Sequence, residues 1–244
     1  MYAVFKRELF SFLSSLVAYI TIGVFLLACA LLLWFFPETS ILDYGYAEMN
    51  GFFSLAPFLF MFLVPAITMR SFAEERREGT YVLLATKPIS DSQIILAKYF
   101  ACVVLLILAL LPTSIYFFSI YQLGLPKGNI DTGAVIGSYL GLFFLGNAFT
   151  AVGIFSSSVT KNQVIAFAVA VFVCFLAYSG FEATSKIFVA SSVETILLNI
   201  GINEHYQSIS RGVLDTRDLV YFISFALVFL GLTKLILEGK KWKN

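Results

Sequence analysis

The sequence predicts an all-α integral membrane protein, on three observations: its composition, the length of its apolar runs and the skew of its basic residues. Of 244 residues, 59% are hydrophobic, 17% aromatic and 13% charged. Soluble domains run at about 45–50% apolar and about 25% charged. Lipid is the solvent that rewards this exchange, because it leaves backbone polar groups to be paired internally, in helices or closed barrels. The runs are continuously apolar and lack the two-residue alternation of barrel strands, which selects helices.

Each run is judged against the roughly 20 apolar residues that span a bilayer. Leu16–Phe36 has no charge and stops at Pro37-Glu38. It exceeds the about 7–15 residues of a signal-peptide core, and Trp34-Phe35-Phe36 is no small-residue cleavage site, so it is expected to stay as an anchor. Phe52–Thr68 follows, closed by Arg70. Ile94–Tyr121 is longer than a bilayer requires and contains Pro112, which predicts a tilt, a kink or a projecting end. Ala134–Ser156 is rich in glycine, Val164–Phe181 is the fifth span, and Leu219–Leu237 is the sixth, with Lys234 placed to snorkel. One transmembrane domain then accounts for residues 1–244. Ser191–Ile202 has the apolar spacing of a short helix within a long outer segment, 179–218. Short reentrant or interfacial helices are expected there, to gate the outer mouth or to cover the bundle.

Orientation follows from lysine and arginine. Lys6, Arg7, Arg70, Arg76, Arg77, Lys87, Lys98, Lys161, Lys234, Lys240, Lys241 and Lys243 fall on one side. Lys127, Lys186, Arg211 and Arg217 fall on the other. The excess puts both termini in the cytoplasm.

Several functions are disfavoured. The spans carry almost no ionisable group between their ends, where ion-coupled transporters and pumps need them. The one histidine, His205, is placed in the outer segment and read as structural or incidental. Cys29, Cys102 and Cys174 sit in apolar runs as small fillers, without metal spacing. Gly239-Lys240 is no phosphate loop, because the first glycine of that motif would fall at Lys234. The net charge of +1 comes with no basic tract for nucleic acid. No catalytic residue and no cofactor are therefore expected in this chain. If it moves something, a partner supplies the energy.

The place to receive that partner is residues 70–93. Arg70, Glu74 and Glu78 are spaced four apart on one helical face, Gly79 stops the helix, and Tyr81–Ala85 form a short apolar turn before Lys87-Pro88. Ser90 and Gln93 have capping-box spacing for the third span. The pattern is a short helix held crosswise beneath two spans. Its apolar residues bury against this chain's own helices or dock a partner, unless the segment is an ordinary solvated hairpin.

The run Glu74-Glu75-Arg76-Arg77-Glu78-Gly79-Thr80, then Leu83-Leu84, Pro88-Ile89-Ser90 and Lys98, resembles the loop after the second span in ABC-2 type transporter permeases. The resemblance covers nearly the whole chain. Asn203–Phe222 is similar to the stretch entering the last span in gliding-motility-associated (Gld-type) permeases of Bacteroidetes. The resemblance implies an inner-membrane permease without a nucleotide site. It would be driven by a cytosolic ABC ATPase, two copies of which bind ATP and Mg, and paired with a second, unlike permease subunit bearing an outer domain. Glu74, Glu75, Arg76, Arg77, Gly79 and Thr80 would meet the ATPase, and Leu83, Leu84 and Pro88 would shape the transverse coupling helix. Tyr2–Ser15, with Lys6, Arg7 and Glu8, resembles the family's interfacial helix. Lys6 and Arg7 equally suit anionic headgroups. Gly137 and Gly141 form a close-packing pair, inside the bundle or between subunits. A scaffold that anchors a motility or envelope complex is the alternative to transport, but it has no need of a coupling helix.

Overall fold

The computed structural model describes residues 1–36, 40–41, 46–80, 88–187, 192–212 and 215–241. Its elements are α1 (Tyr2–Leu13), α2 (Leu16–Trp34), α3 (Asn50–Thr68), α4 (Arg70–Arg77), α5 (Asp91–Leu110), α6 (Ser114–Leu123), α7 (Thr132–Val159), α8 (Gln163–Phe175), α9 (Phe181–Ser185), α10 (Ser192–Ile200), α11 (Ile202–Ser210) and α12 (Thr216–Lys241). Six helices are long and apolar enough to cross a membrane: Leu16–Trp34, Asn50–Arg77, Asp91–Leu123, Thr132–Val159, Gln163–Ser185 and Thr216–Gly239. Three of these are composites. α3 continues into α4 past Met69, α5 into α6 through a 3-10 turn at Leu111–Thr113, and α8 into α9 through a π turn at Leu176–Gly180. Pro112 explains the second joint, since it cannot donate the helical hydrogen bond.

Local chemistry sets the helix starts. Ser90 Oγ accepts from the Gln93 amide while Gln93 Oε1 accepts from the Ser90 amide, so the expected capping box opens α5. Asp131 caps α7 through the Ala134 amide, and Asn162 caps α8 through Val164. Gly79 has φ +74°, two residues beyond the end of α4.

α7 is the hub, packed against α3, α4, α5, α8, α11 and α12. Small residues make this possible. Gly153 lies against Thr68 of α3, and Gly146 against Leu106 of α5. Gly137 and Gly141 receive α11: a Cβ on Gly137 would stand 2.8 Å from Gly212 Cα and 3.1 Å from the Ile209 carbonyl. By contrast α2 and α12 expose long apolar faces, including Val24, Leu27, Val220, Leu227 and Leu235. Cys29, Cys102 and Cys174 are buried and unbridged.

Candidate functional site

At the basic end of the bundle, α1, α4 and the first turns of α5 meet around one amino group. Lys98 is fully buried, with its Nζ 3.0 Å from Glu8 Oε1 of α1, 3.0 Å from Glu75 Oε2 of α4, and donating to the Ser71 carbonyl at 2.7 Å. It also stands 5.1 Å over the Phe72 ring. Arg7 closes the circuit, bonding Glu8 at 2.6 Å and Glu75 at 2.5 Å. Burial alone would favour loss of the Arg7 proton, but bonds and charge from Glu8 and Glu75 outweigh it and hold the guanidinium above its ordinary pKa. The cluster holds two cations and two carboxylates. It is balanced, as a poorly solvated site requires.

The joint between α3 and α4 has its own fastening. Ser157 of α7 donates to the Met69 carbonyl at 3.0 Å and accepts from the Phe72 and Ala73 amides at 2.9 and 3.0 Å. One hydroxyl therefore serves three backbone groups at the joint. Arg76 donates to the Ser158 carbonyl near the end of α7, where a cation suits the helix terminus. Arg70 pairs with Glu74 at 2.8 Å and donates to Ser15, at the start of α2.

These contacts sort the loop residues named from sequence. Glu75 faces inward, with a side chain 15% exposed, and Glu74 and Arg76 are half-buried in contacts within the chain. Arg77, Glu78, Gly79 and Thr80 are exposed, with Arg77 and Glu78 3.8 Å apart. Pro88 is exposed too. Leu83 and Leu84, with the transverse turn expected at Tyr81–Ala85, lie outside the described residues. In α1, Glu8 is buried, Arg7 is half-exposed and joins the cluster, and Lys6 is exposed, 5.7 Å from the Phe10 ring.

Sequence reasoning counted Lys98 as a basic residue of a connection and missed its position. The available signal was a lysine one turn inside an apolar run. It missed Ser157 as well, because a serine near a helix end is too common to single out. Asn147 of α7 accepts from Tyr99 of α5 at 3.1 Å, and Thr150 donates to the Gly146 carbonyl within α7.

At the opposite end, Glu182 accepts from Lys186 at 2.9 Å and Asn203 at 2.7 Å. His205, read from sequence as structural or incidental, is half-buried and paired with Asp218 at 2.7 Å. Among the described residues, no three His, Cys, Asp or Glu side chains gather to hold a metal.

Six membrane-length helices, one of them a small-residue hub, with paired charge at the ends of the bundle, are those of a multi-pass membrane protein. A family profile described as ABC-2 family transporter protein matches residues 19–235. The chain belongs to this ABC-2 family, and so is a membrane permease component of an ABC-type transporter. The match begins after α1, so Lys6, Arg7 and Glu8 stand outside it. No curated protein matches the chain.

Proposed function

We propose that this chain is the membrane subunit through which a separate cytosolic ATPase drives export or a mechanical displacement across the bacterial inner membrane. In this reading both termini are cytoplasmic. Two ATPase copies bind ATP and Mg, a second permease with an outer domain completes the complex, and gliding motility is the process, on the resemblance of Asn203–Phe222 to Gld-type permeases.

The observation that carries the reading is the attachment of α4. It is continuous with the second span, and tied to α1 and α5 through the Lys98 cluster and to α7 through Ser157 and Arg76. A push on α4 is therefore delivered to several packed elements together. Among the described residues, Arg77, Glu78 and Thr80 offer exposed side chains to an ATPase, while Glu75 holds the helix from within. The chain itself makes or breaks no covalent bond. Work passes as a difference in contact energy between two arrangements of α4.

Co-purification of the ATPase with the full chain tests this. Charge reversal at Arg77 and Glu78 should lower ATPase recovery by about tenfold, as for loss of one or two charged interface contacts, while leaving the permease as stable as before. Glu74→Ala with Glu75→Ala should lower recovery and permease stability together. Undiminished recovery and coupled turnover in both variants would contradict the proposal.

A further inference from the structure

The segment between the fifth and sixth spans forms a wall of a cavity of about 700 Å³, opposite the charged end. Phe53, Phe58, Tyr178 and Glu182 line its other sides, and α11 contributes Asn203, Tyr206 and Gln207. One flank of α11 is held by Asn203, which donates to the Glu182 carboxylate at 2.7 Å, and by two neutral contacts. Tyr206 donates to the Phe53 carbonyl at 2.6 Å, and Ser138 donates to the Ser210 carbonyl at 2.9 Å. The other flank is held to α10 and α12 through the ring of His205.

That histidine is held unusually. Nδ1 lies 2.7 Å from Asp218 Oδ1 of α12, and Nε2 lies 2.9 Å from the Asn199 carbonyl of α10. Both partners only accept, so both nitrogens must donate for both bonds to exist, and only the imidazolium carries two N–H groups. The charge suits its place at the C-terminal carbonyls of α10. Tyr221 stacks on the ring, with centroids 3.8 Å apart, and donates to the next carbonyl, Ile200, at 2.5 Å. Among the described residues, the titratable groups in contact with the ring are Asp218 and Tyr221, both from α12, and α10 contacts it through a backbone carbonyl.

We propose that His205 is a proton-dependent clasp, joining the cavity wall α11 to α10 and α12 while its ring is doubly protonated. The side chain is 18% exposed, so its proton exchanges with water. When one proton leaves, Asp218 retains the Nδ1–H. The Nε2 lone pair then faces the Asn199 carbonyl, and that bond is lost. The clasp is whole while the ring carries both protons and half undone once one has left, which frees the end of α10 and loosens the wall.

The chain has a single histidine, so nitrogen NMR of the ¹⁵N-histidine-labelled full chain in nanodiscs reports His205 without ambiguity. Both ring nitrogens should show the protonated signature at about pH 5.5, and Nε2 should lose it by about pH 8.5. Amide exchange over Asn199–Ser210, corrected for intrinsic rates, should be about tenfold faster at the higher pH, as for loss of one charge-assisted bond. His205→Gln should remove that difference. A neutral ring at about pH 5.5, equal exchange at both pH values, or an undiminished difference in His205→Gln would each overturn the proposal.

Discussion

Lys98 carries the most consequence for its size. A fully buried ammonium is tolerated only because Glu8, Glu75 and the Ser71 carbonyl surround it. Lys98→Met strands two carboxylates beside Arg7 and should destabilise the protein by about 3–5 kcal/mol, read as a fall in thermal midpoint in detergent. Adding Glu8→Gln and Glu75→Gln should recover most of that loss, because removing a whole buried charge set is far milder than breaking it. Glycines give a second residue-level contrast. Gly153→Ala drives a methyl into Thr68 at the α3–α4 joint and should cost about 1–3 kcal/mol. Gly23→Ala meets no atom within 4 Å and should be neutral or stabilising by up to about 1 kcal/mol. Comparing the two midpoints checks both.

At the scale of elements, the α3–α4 joint depends on Ser157. Ser157→Ala leaves the Phe72 and Ala73 amides without that partner in a buried setting, which should cost about 1–3 kcal/mol. Hydrogen exchange should rise first in α4, ahead of α3, and uniform loosening of both would contradict a local fastening. Elements were also where the sequence was most legible. The six apolar runs, the capping box at Ser90, the stop at Gly79, the joint at Pro112 and the short helix near 192–200 were all read from spacing and composition. Local rules govern each of these, so local patterns reveal them. The charge cluster was not legible. Its members are numbered 7, 8, 75 and 98, and only packing α1 and α4 against the start of α5 brings them together. Likewise the inward turn of Glu75 and the outward turn of Glu78 depend on which face of α4 meets α7. His205 escaped for the same reason: its partners Asn199 and Asp218 come from other helices.

The whole molecule divides by end. One end gathers α1, α4, the start of α5 and the finish of α7, with its paired charge and exposed loop residues. The other gathers α9 and α11, with the facing parts of α3 and α7, around the cavity. α7 joins them, fastened to α4 by Ser157 and to α11 by Gly137 and Gly141. On the proposed function, a tilt of α4 would be communicated along this small-residue helix toward the cavity wall. This requires that the exposed tip of α4 meet the energy source. Photo-crosslinking from Glu78 and Thr80 in native membranes tests that requirement most directly. The account predicts a covalent adduct with a nucleotide-hydrolysing protein of the cytosol, formed at those residues and absent from Lys186 at the far end. Adducts confined to lipid or to proteins without a nucleotide site, or a Thr80 probe reached only from outside the cell, would contradict it.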